Sequence, residues 1–246
     1  KELELAMIDG KADIAVHSLK DLPTDLPRDF KISAVLERED PRDVFISNKY
    51  KSLLNLPKQA TIGTNSLRRK AFILRMFPLI KVIPLRGNLE TRISKLDQGL
   101  YDGIILAAAG LKRLNLTDRI SSFIGISDCL PAPGQGTIAI EILSQRKDLD
   151  LLLKPINHIE TNTEIRAERS LSKELFGNCQ LPLAAFATLS DNIIRMRGMV
   201  ASVDGKKIAY ADMNGKAENP EILGKTVARE LNIQGAQSII LESLKL

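Results

Sequence analysis

Apolar residues recur along the chain in two rhythms. Residues 13–17 and 31–36 are short, nearly continuous apolar runs, and runs of about four to eight such residues read as buried strands. Residues 1–10 instead place Leu3, Ala6 and Met7 at helical spacing and end on Gly10, a residue suited to a helix terminus. Between 44 and 130 the rhythms alternate. Strands at 60–63, 81–85 and 103–106 are each followed by a helix, at 66–77, 89–96 and 107–114. This alternation predicts the α/β class, with a parallel or mixed sheet covered by helices on both faces. A strand at 137–143 and helices at 148–157 and 160–175 come next. Strands at 183–189, 193–203 and 207–213 are then bunched ahead of helices at 221–231 and near the end, a pattern that predicts a separate α+β domain.

Composition changes this picture in a few places. A chain of 246 residues is long enough for two or three domains. The segment Glu37-Arg38-Glu39-Asp40-Pro41-Arg42-Asp43 packs six charges and a proline between two such regions, and it reads equally as a hinge or as an ordinary polar loop. No stretch approaches the roughly 18 apolar residues that cross a bilayer, so no membrane partner is expected. Two cysteines, Cys129 and Cys179, are too few for a disulfide framework and fit a reducing, cytoplasmic compartment. Lys1 is not an initiator methionine and the chain reads as beginning inside an element, so the missing leader is weak evidence about targeting.

The net charge is +5, yet residues 61–120 alone hold 11 Lys and Arg against 4 Asp and Glu. The basicity is therefore local. Gly63-Thr64-Asn65-Ser66-Leu67-Arg68-Arg69 sets small polar residues at a strand-to-helix turn, where free backbone N–H groups and the helix dipole favour an anion. Two arginines in that first turn oppose the dipole unless an anion offsets them, and bidentate guanidinium groups suit carboxylates. Leu85-Arg86-Gly87-Asn88-Leu89-Glu90-Thr91-Arg92 repeats the arrangement, with Asn88 as N-cap and Gly87 allowing close approach of a ligand. Arg113, near a helix end, also reads as a plain C-terminal charge. Nucleic acid is a poor match for discrete arginines at separate strand ends without aromatic interleaving or zinc spacing. His17 and His158, far apart, make no metal cluster, and no metal is expected.

Two further spots carry chemistry. Pro23 ends the 13–17 strand, so Ser18, Lys20 and Asp21 fall at a strand exit, where parallel α/β sheets place their ligand crevice. Cys179 lies in Leu175-Phe176-Gly177-Asn178-Cys179-Gln180, between a helix and a strand, where a thiolate facing guanidinium groups would be nucleophilic. Each has a plainer reading, a solvated strand exit and a small apolar residue. A non-catalytic anion-binding or ligand-sensing module would need the basic pocket but neither Asp21 nor a special cysteine.

Six strings occur in order: H-S-L-K-D-L-P, G-T-N-S-L-R-R, L-R-G-N-L-E-T-R, L-A-A-A-G-L-K-R-L, P-A-P-G-Q-G and G-N-C-Q. Together they resemble the porphobilinogen deaminase (hydroxymethylbilane synthase) family over nearly the whole chain. The resemblance implies two periplasmic-binding-protein-like (type II) α/β domains with mixed sheets plus a small C-terminal α+β domain. The first domain, 1–38 and 131–157, is discontinuous and continues upstream in family members; the second is 39–130, and 158–246 is the cofactor-attachment domain. It implies a transferase, in tetrapyrrole and heme biosynthesis, that joins four porphobilinogen molecules head to tail onto a covalent dipyrromethane cofactor, releasing ammonia and hydroxymethylbilane. Cys179 matches the thioether attachment point, with Asn178 where two glycines are usual. Ser18, Lys20, Thr64, Ser66, Arg68, Arg69, Arg86, Gly87, Asn88 and Arg113 match cofactor-site positions. Arg86, Arg92, Arg113 and Gln135 match substrate-binding positions, and Asn65 replaces a common serine. Asp21 matches the catalytic carboxylate, which would shuttle protons and stabilise the cation left when ammonia departs. Cys129 matches no functional motif and reads as structural. The expected partner is porphobilinogen alone, with the protein a monomer.

Overall fold

The computed structural model describes residues 2–175 and 181–243. Its frame is three sheets. The first joins β1 (Ala15–Ser18) and β2 (Phe30–Val35) through β8 (Ile138–Leu143), in the order β1-β8-β2. Two of its strands lie before and one after the residues of the second sheet. That sheet is β3 (Asp43–Ile46), β4 (Thr61–Gly63), β5 (Lys81–Ile83), β6 (Gly103–Ala107) and β7 (Ser122–Ile124), in the order β5-β4-β6-β3-β7. The third, β9 (Leu183–Ser190), β10 (Ile193–Ala201) and β11 (Ile208–Lys216), is an antiparallel meander.

Strand β4 runs parallel to β5 and β6, while β3 runs antiparallel to β6 and β7, so the second sheet is mixed as the strand–helix alternation predicts. Helices α2 (Leu67–Met76), α3 (Leu89–Asp97) and α4 (Ala108–Arg113) follow β4, β5 and β6. Two separate apolar clusters form on this sheet. Val44, Ile46, Ile104 and Leu106 pack with Ile93 of α3 and Leu111 of α4, whereas Phe45, Ile62 and Ile105 pack with Phe72 and Ile73 of α2. Period-two alternation sends β3 residues to both clusters, which is how one strand supports two layers. The third sheet buries one face under α6 (Ile159–Glu174), α7 (Pro220–Ile233) and α8 (Ala236–Ser243). This gives an α/β body and a small C-terminal α+β unit. No helix among the described residues is long and apolar enough to cross a membrane.

The structure corrects three expectations. Strand β1 is not part of a parallel sheet: it pairs antiparallel with β8, Ser18 opposite Ile138. The helix expected over 148–157 stops as α5 (Lys147–Leu153) and tightens into a 3₁₀ turn over Lys154–Ile156, because Pro155 lacks the N–H an α-helix interior needs. The charged 37–43 segment ends inside the fold, since Asp43 opens β3 and is fully buried.

Helix α6 packs against both the first and the third sheet. Its Glu168, also fully buried, accepts hydrogen bonds from the Gly134 backbone N–H (2.7 Å), the Ala187 N–H of β9 (2.8 Å) and Arg38 Nη2 (2.9 Å). Gly136 sits at φ +91°, where a side chain would drive a Cβ into the Glu39 carbonyl. The P-A-P-G-Q-G turn thus packs directly on the charged segment.

Candidate active site

Strand β1 gives way at Leu19 to a 3₁₀ turn, Leu19–Asp21, whose Leu19 is buried and whose Asp21 is exposed. Burial of Leu19 and Leu22 fixes the turn, so Lys20 and Asp21 between them are presented to one side. They open onto a pocket of about 230 Å³ that also receives Ser66, Arg68 and Arg69 from the start of α2, Arg92 from α3 and Gln135 from the 131–136 turn. The strand exit is therefore a site edge even though its sheet is not parallel.

The β4–α2 turn is built as its residue types dictate. The Ser66 Oγ caps α2 by accepting from the Arg69 N–H (3.4 Å), and Thr64 Oγ1 accepts from the Ser66 N–H (3.2 Å). The anion that offsets Arg68 and Arg69 belongs to the chain itself. Asp43 receives Arg68 Nη1 at 2.8 Å, Arg69 Nε at 3.0 Å and Nη2 at 2.8 Å, and Gln135 Nε2 at 3.0 Å. The first-turn arginines thus have a structural partner that their sequence context did not reveal. Burial works to raise the Asp43 pKa, but the two guanidinium charges outweigh it and hold the carboxyl below the usual range. Arg68 is also raised: burial acts against its charge, and Asp43 overrides that.

Cys129 belongs to the same knot. Its thiol accepts from Arg68 Nη1 (3.1 Å) and faces Asp43 Oδ2 (3.4 Å). Burial first, and Asp43 further, push it up to about 12 against the opposing pull of Arg68, so it is a protonated packing thiol and not a nucleophile. That agrees with its structural reading.

Arg68, only 3% exposed, also donates to the Leu130 carbonyl (2.8 Å), while its Nε has no hydrogen-bond partner among the described residues. Arg69 Nη1 donates to the Ile105 carbonyl at 3.0 Å. Lys20 is lowered to about 8, by burial first and then by the charge of Arg69, with Asp21 and Asp43 opposing. Arg92 donates from Nε to the Gly87 carbonyl (2.7 Å); burial and Arg69 lower its pKa. Five cations, Lys20, Arg68, Arg69, Arg92 and Arg169, line the pocket against one carboxylate, Asp21. Asp43 lies directly behind Arg68 and Arg69.

Not every expected position reaches this pocket. Arg86 is exposed, and its carbonyl takes Lys95 Nζ. Gly87, at φ +119°, and Asn88, whose Oδ1 caps α3 through the Thr91 N–H (2.8 Å), shape the neighbouring turn. Arg113 Nη2 holds the Gly136 carbonyl at 2.7 Å, bracing the 131–136 turn. Ser18 ends β1, and Thr64 is buried in its own turn. Cys179 and its neighbours Asn178 and Gln180 lie outside the described residues. Arg169 and Ser172 of α6 do line the pocket and were not flagged by sequence. Nothing in the sequence sets them apart, for Thr161, Glu168, Ser170 and Ser172 read as the solvated face of a polar helix and are all buried. Among the described residues no group of three or more His, Cys, Asp or Glu could hold a metal.

Comparison with known proteins adds two family matches. Residues 1–150 match the family described as porphobilinogen deaminase, dipyromethane cofactor binding domain, and residues 162–232 match porphobilinogen deaminase, C-terminal domain. The chain is 52% identical over 240 residues to the porphobilinogen deaminase of Chromobacterium violaceum, covering 98% of this chain and 78% of that protein. It is 49% identical to that of Neisseria meningitidis serogroup B over 240 residues, covering 98% and 77%. A nutrient-binding protein of Burkholderia cenocepacia shares 14% identity at a TM-score of 0.43, over 60% of this chain and 73% of that one.

Proposed function

The chain belongs to the porphobilinogen deaminase family, and from that premise we propose that the pocket at the end of β1 holds the dipyrromethane and the growing pyrrole chain. The family activity is transfer: porphobilinogen molecules are joined head to tail on a dipyrromethane cofactor with loss of ammonia, giving hydroxymethylbilane. Membership displaces the non-catalytic solute-binding alternative.

The observation that carries the assignment is a buried guanidinium atom, Arg68 Nε, left without a hydrogen-bond partner among the described residues in a pocket lined mainly by basic side chains. A dipyrromethane bears four carboxylates, two on each ring, and the pocket offers five basic side chains in its wall and a buried Arg68 Nε without a partner among the described residues. Burying an unpaired donor costs about 1–3 kcal/mol, so such a donor persists where a ligand supplies the acceptor. The residues present fit the group. When bound, the cofactor supplies a nucleophilic pyrrole α-carbon as the primer for elongation. Arg68, Arg69 and Lys20 hold its carboxylates, while Arg92 and Gln135 receive those of incoming rings. Ser66 and Thr64 keep the α2 turn in shape; Ser18, Gly87, Asn88, Arg86 and Arg113 act at the rim, where longer intermediates must pass. Cys179 is the attachment point.

Asp21 does the proton work. It is a carboxylate beside a lysine and several arginines, exposed and lining the pocket at the end of its turn. As ammonia leaves the substrate, positive charge develops on the methylene carbon, and a fixed carboxylate both stabilises that charge and relays the protons released at ring carbon. The cationic wall cannot do this; it repels the developing cation and binds the carboxylates instead.

In the same proposal the three sheets mark three domains, 1–38 with 131–157, 39–130, and 158–246, and the 37–43 segment with the 131–136 turn forms the hinge. The protein works in the cytoplasm as a monomer, without nucleic acid. Intact mass spectrometry of the purified protein tests the core of this reading. A mass in excess by one dipyrromethane, absent from a folded Cys179→Ala variant, supports it, and a variant that keeps the adduct moves the attachment elsewhere.

A further inference from the structure

Asp21 is the group on which the proposed chemistry turns, yet the Leu19–Asp21 turn has no side-chain cap and Asp21 itself is exposed. Something else must hold it, because displacement of a catalytic group by about 1 Å can cost about 10²-fold in rate. The residues after it are held from one direction. Arg169 Nη2 donates to the Pro23 carbonyl (2.7 Å) and the Thr24 carbonyl (2.8 Å), with Nη1 at a longer 3.5 Å from the Leu22 carbonyl. One planar guanidinium thereby spans three consecutive carbonyls. Proline at 23 makes that stretch short of backbone donors of its own, so these carbonyls have no local ladder to join. Ser172 Oγ meets Thr24 Oγ1 at 3.4 Å, and Lys173 forms an ion pair with Asp25. Successive positions on one face of α6 therefore staple residues 22–25, and Arg169 reaches the pocket wall beside Asp21.

We propose that Arg169 is a positioning residue for Asp21: it fixes the backbone that leaves the Leu19–Asp21 turn and so sets where the carboxylate stands. This rests on the reading of Asp21 given above. The role differs from that of Arg68 and Arg69, whose guanidinium groups meet a carboxylate, Asp43. Arg169 donates to the main-chain oxygens of residues 22–24, fixing backbone in place. Helix α6 is itself anchored through Glu168 to the 131–136 turn and β9, so the clamp is tied to the rigid part of the molecule and not to another loop. Lysine cannot replace it: an ammonium is a point donor and cannot cover three carbonyls in a plane.

The test is a double-mutant cycle on the full-length, cofactor-loaded enzyme, read as the single-turnover rate with porphobilinogen and as KM. Arg169→Ala is expected to slow the chemical step about 10- to 100-fold with KM within about twofold of wild type. In an Asp21→Ala background the same substitution should cost less than about threefold, because the group it positions is gone. Arg169→Lys should recover only part of the loss. The proposal is overturned by independent, multiplying losses in the double variant, by a rise in KM with kcat intact, or by full activity of the lysine variant, since each makes Arg169 a direct binder of carboxylates. Should the alanine variant not fold, Arg169→Gln carries the same cycle. An Asp21→Ala single variant with wild-type rate would instead overturn the role of Asp21, a result the cycle separates from failure of the clamp.

Discussion

Replacing Asp43 by asparagine should damage the protein out of proportion to the one atom changed. The side chain is fully buried and serves Arg68, Arg69 and Gln135 at 2.8–3.0 Å. Asparagine fills the same space but withdraws the charge and turns one acceptor into a donor, which would face guanidinium N–H groups. Two buried cations then stand together with no counter-ion. Removing one partner of a buried ion pair typically costs about 3–5 kcal/mol. For a chain of this size each kcal/mol shifts the melting temperature by about 2–4 °C, so a fall of about 6–20 °C is expected. The pH dependence is a second signature. Because the Asp43 carboxyl is held below its ordinary pKa in the fold, its stabilisation is fully present above the unfolded value and is lost as pH falls through the folded one. The gap between variant and wild type should therefore stay constant from about pH 5 upward and narrow in acid. Calorimetric melting of both proteins across that range, with and without cofactor, measures it. Cofactor carboxylates should restore part of the lost stability. A gap under about 2 °C at pH 7 would refute the view that Asp43 neutralises this pair, and an equal gap in loaded and cofactor-free protein would show that the ligand does not share the cluster.

Two further results are expected. Asp21→Ala should keep its cofactor yet slow the chemical step at least about 10²- to 10³-fold, with Asp21→Glu retaining more activity; near wild-type single-turnover rates for Ala would make this carboxylate structural. Lys20, lowered to about 8 by burial and by Arg69, should titrate near that pH in cofactor-free protein, followed by NMR of the selectively ¹³C-methylated amine. Since its folded pKa lies below the unfolded value, Lys20 costs stability at every pH below about 8 and that cost fades as pH rises toward about 10.5. Bound carboxylates should move it back upward, and a titration unchanged by cofactor would argue against Lys20 as a carboxylate ligand.

Much of the frame was legible because the chain's rhythms are local. The strands β4 and β6 and the helices α2, α3 and α4 fall within a residue or two of where apolar spacing put them, as do β9 and β10 of the third sheet, while β11 runs three residues further than expected. What periodicity could not show were the elements whose identity depends on distant partners. Strand β3 opens with a charged residue after a proline and looks like the end of a linker; it is a central strand only because β6 and β7 flank it. Strand β7 is three residues long and has no turn signature of its own. The same holds for the direction of β1, which is set by β8 more than a hundred residues later.

The site divides along the same line. Residues proposed to meet a ligand stand in short strings that match family motifs, so Lys20, Asp21, Ser66, Arg68, Arg69, Arg92 and Gln135 could be picked out before any fold was known, and the structure brings these seven around one pocket. Residues whose role is to serve those side chains carry no such mark. Asp43 is one acid among several in a charged run, and what distinguishes it is a burial that only Arg68 and Arg69, about 25 residues on, make tolerable. Arg169 is one basic residue among several on a polar helix, distinguished only by three carbonyls nearly 150 residues upstream. A charge in sequence is compatible with solvent, with a ligand or with an internal partner, and the choice among these is made by desolvation, a property of the assembled chain. That is why a structural motive for Arg68 and Arg69 could not be seen from their own helix: the anion offsetting them lay in a segment that read as solvated.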